Sequence, residues 1–133
     1  MKILLLDDDI RDVPEIADVW KLSGHEVTQV VDWHKLEPLL SAQSFDGVLI
    51  DLMIPAIDLP IGECAAGFTT GEYIYRTYIY PKLPQTPFAV FSAALIGLDV
   101  IKAATERLSA LPGYRGYFEK GCKNTDLLNA ISK

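Results

Sequence analysis

The sequence has few cysteines and no hydrophobic run long enough for a membrane helix. Its two cysteines, Cys64 and Cys122, have no second cysteine or histidine at zinc-site spacing, so we expect free thiols. The longest apolar stretch, from Phe88 to Leu98, is interrupted by Ser92 and is too short to cross a bilayer. The apolar run near the N-terminus, Ile3 to Leu6, is too short for a signal peptide. These features predict a cytoplasmic protein with no membrane partner.

Basic residues are also few. Lysine and arginine number 12 against 18 aspartates and glutamates, which gives a formal net charge of -6. Together with the lack of a Lys/Arg cluster, this balance excludes a typical nucleic-acid or anionic-membrane surface. The 133 residues, 50% of them hydrophobic and 23% charged, are expected to form one globular domain with its own core.

Short apolar runs alternate with segments of helical periodicity along the whole chain. We expect strands at Ile3–Leu6, Glu26–Val31, Val48–Ile50, Phe88–Phe91 and Tyr114–Phe118. Helices are expected at Val13–Leu22, after an N-cap at Asp32, from Thr69 to about Tyr80, and at Asp99–Leu111 and Thr125–Ile131. Because parallel strands need crossover connections, this alternation predicts an α/β fold with helices on both faces of one parallel sheet.

Polar residues stand where four of these strands end: Asp7-Asp8-Asp9, Asp51, Ser92 and Lys120. In open α/β sheets the carboxyl ends of the strands form the ligand site, so these side chains are expected to converge. Clustered carboxylates repel one another unless a hard cation lies between them, and their oxygens suit Mg²⁺. A lysine and a hydroxyl would complete a site for a phosphoryl group.

Four segments resemble, in order, the receiver domain of two-component response regulators, a family that includes stand-alone chemotaxis-type regulators. They are KILLLDDD, FDGVLIDLMIP, FAVFSA and GYFEKG. The resemblance covers almost the whole chain and implies a flavodoxin-like (βα)5 fold, a doubly wound five-stranded parallel sheet in the order 2-1-3-4-5. It also implies a signalling protein rather than a metabolic enzyme, with at most self-catalysed phosphoryl transfer and autodephosphorylation.

Carried over by motif, the resemblance makes Asp51 the phosphoacceptor, which takes the phosphoryl group from a histidine kinase or a histidine phosphotransfer protein. Mg²⁺ would be held by Asp7, Asp8, Asp51 and the backbone carbonyl of Met53. Asp8 would be the direct ligand of the acidic pair, with Asp7 acting through water. The downstream protein target is not indicated by the sequence.

The same resemblance gives Ser92 and Lys120 the role of binding phosphoryl oxygens. Tyr117 matches the switch aromatic, which moves inward when the hydroxyl at Ser92 approaches the phosphoryl group. Phosphorylation would thereby change the surface formed by the fourth helix, the fifth strand and the fifth helix.

Each residue also has a plainer interpretation. Asp7–Asp9 could cap the first helix, as we expect of Asp9 in particular. Ser92 could be an ordinary strand-end hydroxyl, Lys120 a solvated surface charge and Tyr117 a core aromatic. The two histidines have no carboxylate or cysteine at ligand spacing, and the sequence assigns them no role.

The chain departs from the family pattern after the phosphoacceptor. The segment between Pro55 and Gly71 is about twelve residues longer than usual, which places an insertion at about 56–70. It could be a tolerated surface loop, a lid or a partner-binding element. It is too apolar to be entirely solvated, so we expect it to pack on something. Thr69-x-x-Glu72 after it resembles a capping box. Lys120 is followed by glycine instead of proline, which makes a cis peptide less expected.

Two other functions fit parts of the pattern. Asp7-x-Asp9 matches the first motif of haloacid-dehalogenase-like phosphatases, with Asp7 as nucleophile and Asp9 as acid. That family needs a further acidic motif after the lysine, where Asp126 is the one acidic residue that could serve. Alternatively, the chain could be an interaction module that keeps the site but signals through its insertion, independently of phosphorylation.

Overall fold

The computed structural model describes residues 1–8, 13–93 and 98–132. Its five strands are β1 (Lys2–Leu6), β2 (Glu26–Val30), β3 (Gly47–Ile50), β4 (Phe88–Ser92) and β5 (Tyr114–Glu119). They pair in parallel, in the order β2-β1-β3-β4-β5. The predicted sheet and its strand order are therefore confirmed, with strand ends shifted by a residue or so.

The helices also follow the sequence pattern. They are α1 (Val13–Leu22), α2 (Leu36–Ala42), α3 (Thr70–Ile74), α4 (Asp99–Ser109) and α5 (Asn124–Ser132). Short 3-10 turns lie at Trp33–Lys35, before α2, and at Ala65–Gly67, and α3 continues as a π-helical turn over Tyr75–Ile79. Among the described residues, no helix has the length and apolar character that crossing a membrane requires.

The sheet has a hydrophobic core on each face because successive side chains of a strand point to opposite sides. Leu4 of β1 packs in the larger cluster, with residues of α2, α3 and α4. Its neighbours Ile3 and Leu5 pack on the other face, against Trp20 of α1 and Leu127 of α5. All five side chains are at most 2% exposed, and burying each contributes about 1.5–3 kcal/mol. The two cores hold the strand ends in fixed relative positions.

The insertion, at about residues 56–70, is partly packed into the larger core. Leu59 and Cys64 are buried there, at 8% and 0% exposure. Ile57, Ile61 and Phe68 remain 63%, 67% and 40% exposed. The insertion is thus not entirely solvated, as expected from its apolar residues, and it packs on the domain through Leu59 and Cys64.

One helix cap follows the prediction and one does not. The Asp32 side chain accepts a hydrogen bond from the N–H of His34, as expected of an N-cap. At α3, however, Thr69 makes no side-chain capping bond, and the buried Glu72 carboxylate instead accepts two hydrogen bonds from Arg107 of α4, at 2.6 and 2.7 Å. The capping-box prediction is wrong because a bidentate guanidinium is a stronger partner than a local backbone N–H.

The β4–β5 pairing is irregular. Phe88 pairs with Tyr114, but Val90 pairs with Tyr117, so β5 has a residue more than β4 between the two pairs. Gly116 lies in this bulge with φ 125°, a region that disfavours side chains. Beyond the bulge, regular pairing resumes as far as Ser92 opposite Glu119, at the carboxyl edge of the sheet.

Candidate functional site

Asp51 directly follows β3, and its backbone is fixed by the sheet. Its N–H donates to the carbonyl of Leu6 in the neighbouring strand at 2.9 Å. The residue is 4% exposed. Its Oδ1 accepts hydrogen bonds from the Ser92 hydroxyl, at 2.6 Å, and from the Met53 N–H, at 3.2 Å. The carboxylate is thus held in one orientation at the carboxyl edge of the central strand.

Lys120 reaches this carboxylate from the end of β5. Its side-chain Nζ lies 3.1 Å from Oδ2 of Asp51 and 3.0 Å from Oδ2 of Asp7. The backbone N–H of Lys120 donates to the Ser92 carbonyl at 3.0 Å. Burial by itself would lower the pKa of Lys120, but the hydrogen bond to Asp7 and the negative charge of Asp51 outweigh burial and raise it. Lys120 is therefore a charged group of the site and not a solvated surface lysine. Its peptide bond to Gly121 is trans.

Three carboxylates form a cluster at this edge. Asp7, Asp8 and Asp51 each offer an oxygen within 4.8 Å of the others, with Asp7 and Asp51 buried and Asp8 half-buried. When all three are ionised, Lys120 balances one of their charges and two remain. A divalent cation with a preference for hard oxygen ligands would balance the rest. The donor set therefore fits Mg²⁺ or Ca²⁺.

Tyr117 lies beside the same group of side chains. Burial raises the pKa of its hydroxyl, the charges of Glu119 and Asp51 raise it further, and a hydrogen bond with Ser92 lowers it. Ser92 is completely buried. A continuous chain of contacts therefore runs from Asp51 through Ser92 to the half-buried ring of Tyr117.

The structure thus brings Asp7, Asp8, Asp51, Ser92 and Lys120 together, as the sequence predicts. Tyr117 adjoins them through Ser92. Met53, two positions after Asp51, is 42% exposed, and its N–H donates to the Asp51 carboxylate. Metal binding by the Met53 carbonyl stays a prediction. The expected helix cap at Asp9 lies outside the described residues.

One residue beside Asp51 escaped the sequence analysis. Gly71, in the first turn of α3, donates its N–H to the Leu52 carbonyl at 2.9 Å. A Cβ at this position would lie 1.7 Å from the Asp51 carbonyl oxygen. A glycine in the first turn of a helix is the signal that could have indicated such a close approach.

Two clefts beside Asp8 share walls with the insertion. One, of about 280 Å³, is lined by Asp8, Met53 and Pro55 and, from the insertion, by Phe68 and its neighbours. The other, of about 360 Å³, is lined by Asp8, the segment before α2, and Ile57 of the insertion. The insertion therefore shapes the approach to the acidic cluster.

Comparison with protein-family models and with curated protein sequences found no match. Solved structures do match. A response regulator protein from Burkholderia pseudomallei, solved with a phosphorylated aspartic acid, a calcium ion and citrate, superposes with a TM-score of 0.73 and 17% identity over 98% of this chain. The chain spans 65% of the Burkholderia chain.

Two further structures match over most of both chains. The BeF3-activated N-terminal receiver domain of Klebsiella pneumoniae RstA has a TM-score of 0.69 and 19% identity, over 97% of this chain and 93% of its own. The Vibrio cholerae chemotaxis protein CheY4 has a TM-score of 0.67 and 18% identity, over 98% and 94%. The resemblance drawn from the sequence is confirmed at the level of the fold: the chain folds as response regulator receiver domains do.

Proposed function

We propose that this chain is a phosphoacceptor receiver domain of a two-component or phosphorelay system, phosphorylated on Asp51. Residues 1–133 would act as one domain in the cytoplasm, with 56–70 as an insertion. One observation supports this function above all: the Asp51 carboxylate lies between a hydroxyl at 2.6 Å and an ammonium at 3.1 Å. These groups are what a carboxylate nucleophile needs when it becomes an acyl phosphate.

The acidic cluster supports a role for a divalent cation in this reaction. Asp7, Asp8 and Asp51 would hold Mg²⁺, with the Met53 carbonyl as a further ligand. Bound there, the ion would neutralise charge on the transferred phosphoryl group. The Burkholderia structure, which has a calcium ion and a phosphorylated aspartic acid, is consistent with this proposal.

The donor would be a phosphohistidine on a histidine kinase or phosphotransfer protein. An oxygen of Asp51 forms a bond to phosphorus, the phosphorus–nitrogen bond breaks, and the histidine leaves with the electron pair of that bond and takes up a proton. Lys120, 3.1 Å from Asp51, offsets negative charge on the phosphoryl oxygens, and the Ser92 hydroxyl donates to one of them. Hydrolysis of the acyl phosphate would return Asp51 to its original state.

Phosphorylation would then be transmitted through Ser92. Its hydroxyl now bonds to both Asp51 and the Tyr117 hydroxyl, so its movement toward a phosphoryl group would break the hydrogen bond with the tyrosine. Tyr117 would repack inward, and the surface of α4, β5 and α5 would change its affinity for a downstream protein.

The proposal is tested by phosphorylation with a small donor such as acetyl phosphate in the presence of Mg²⁺, followed by intact-protein mass spectrometry. The wild-type chain should gain the mass of one phosphoryl group, and Asp51→Asn should gain none. Asp18→Asn, which changes an exposed aspartate of α1, is the matched control and should behave as the wild type does. Chelation of Mg²⁺ should abolish the reaction.

Equal labelling of the wild type and Asp51→Asn would overturn the assignment of Asp51. Phosphoryl transfer lost in Asp7→Asn but kept in Asp51→Asn would instead support the phosphatase alternative. Partner binding that is the same with and without phosphorylation would favour an interaction module.

A further inference from the structure

The start of the insertion is attached to the segment before α2 by two polar contacts. The indole N–H of Trp33 donates to the carbonyl of Ile57 at 2.8 Å. The His34 Nε2 lies 3.0 Å from Oδ2 of Asp58. Asp58 itself has φ 60°, a left-handed backbone conformation that is uncommon outside glycine. Ile57 and Asp58, at the start of the insertion, are therefore held by the side chains of Trp33 and His34.

His34 lies between two carboxylates. While Nε2 contacts Asp58, Nδ1 lies 2.6 Å from Oδ1 of Asp32. A neutral imidazole has a single N–H and donates to one partner, whereas an imidazolium donates from both nitrogens. Both contacts are thus satisfied at once when the ring is protonated. The expectation that His34 has no carboxylate partner is wrong.

Aromatic stacking holds the ring in place. The His34 and Trp33 rings stack with centroids 4.0 Å apart, and Trp33 stacks on Tyr78 at 5.0 Å. A cationic ring over the face of an indole is additionally favoured by the π-system. The same indole donates to Ile57, so the ring stack and the two polar contacts form one connected unit.

The two carboxylates that contact His34 favour its protonated form. Asp32 and Lys35 come from its own segment, Asp58 from the insertion, and Asp8 lines the cleft that His34 also lines. The hydrogen bond to Asp32 raises the pKa of His34 above its ordinary 6.5, burial opposes this, and Asp58 adds to the rise. The attachment is thus favoured below pH 6.5 and weakens as pH rises through the raised pKa.

We propose that His34 is a protonation-dependent clasp that fastens the insertion to the segment before α2. With the ring protonated, the clasp joins Asp32 to Asp58 and fixes Ile57 in the wall of the 360 Å³ cleft beside Asp8. With the ring neutral, one of the two carboxylates loses its donor and the turn at Asp58 is released. The position of this wall, next to the acidic cluster, therefore depends on the protonation state of His34.

The test uses NMR of the full chain. The His34 ring signals give its titration midpoint. The indole N–H of Trp33 reports the hydrogen bond to Ile57, and the indole of the buried Trp20 reports the integrity of the fold. We expect a His34 midpoint above 6.5 and a protection factor of the Trp33 N–H that falls with the same midpoint. This protection factor should decrease about two- to fivefold, the size expected when one exposed ion pair is lost.

Asp58→Asn should lower the His34 midpoint and remove the pH dependence of Trp33 protection, because the carboxylate that contacts His34 Nε2 is then lost. Glu63→Gln removes an equal charge from an exposed position of the same insertion and is the matched control, expected to leave both measurements unchanged. His34→Gln should make Trp33 protection independent of pH. A His34 midpoint that is equal in the wild type and Asp58→Asn, or Trp33 protection that does not follow the titration, would overturn the clasp.

Discussion

Replacement of Gly71 by alanine tests how closely α3 approaches Asp51, the proposed phosphoacceptor. The added Cβ would lie 1.7 Å from the Asp51 carbonyl oxygen and 2.9 Å from the Leu52 Cα. The first distance is about 1.6 Å shorter than a C···O contact of about 3.3 Å. Because both neighbours are backbone atoms, the clash cannot be relieved by rotation of a side chain. Either α3 or the segment after β3 must shift.

The expected magnitude comes from two opposed effects. Alanine is favoured over glycine within a helix by about 1 kcal/mol. Overpacking that forces backbone shifts costs about 1–3 kcal/mol. We expect a net loss of up to about 2 kcal/mol in the free energy of unfolding, measured by urea denaturation. Displacement of Asp51 by about 1 Å should also slow its phosphorylation by a small-molecule donor about tenfold to a hundredfold.

Gly62→Ala is the matched control because a Cβ at Gly62 meets no atom within 4 Å. Its free energy of unfolding should stay within about 0.5 kcal/mol of the wild-type value, with phosphorylation unchanged. If Gly71→Ala were as stable as this control and were phosphorylated equally fast, the reasoning from close approach would be refuted.

Three further predictions concern stability. Arg107→Ala should lower the free energy of unfolding by about 1–2 kcal/mol, which is less than for a fully buried ion pair because the Arg107 side chain is 51% exposed. Adding Glu72→Gln to this variant should restore part of the loss, as measured in a double-mutant cycle. Leu59→Ala should cost about 2–4 kcal/mol, whereas Ile61→Ala, at a 67% exposed position, should be nearly neutral in the same denaturation assay. Burial raises the pKa of the Cys64 thiol above 9.0. The wild type should therefore lose stability relative to Cys64→Ala as pH rises above 9.0, because the unfolded thiol ionises more readily than the folded one. Denaturation of both proteins at about pH 8 and pH 10 measures this difference.

The sheet and the residues at its edge follow from the sequence because their signals are local. Apolar runs such as Val48–Ile50 define buried strands, and the carboxyl ends of parallel strands meet at one edge. Asp51, Ser92 and Lys120 could thus be placed together without knowledge of any contact. Their chemical roles are a separate matter and rest on the proposed function.

Contacts between distant segments were not predictable in the same way. Glu72 matches a capping box in sequence, yet its partner is Arg107, 35 positions away. His34 has one partner two positions away in Asp32, but the other, Asp58, lies in the insertion. Patterns within a few residues contain no information on such pairings, because the fold decides which side chains meet.

The bulge at Gly116 decides which face of the sheet receives each aromatic residue of β5. In a regular strand, Tyr114 and Tyr117 would point to opposite faces because they are three positions apart. With the bulge, both pack in the larger core, and Phe118 packs in the smaller one. If the same residues formed a regular strand without the bulge, Tyr117 would turn to the opposite face and away from Ser92, whereas deletion of the one extra residue would leave Tyr117 opposite Val90 and on its present face. The position of Tyr117 beside Ser92 thus depends on an irregularity in the pairing of one strand, as well as on which side chains that strand contains.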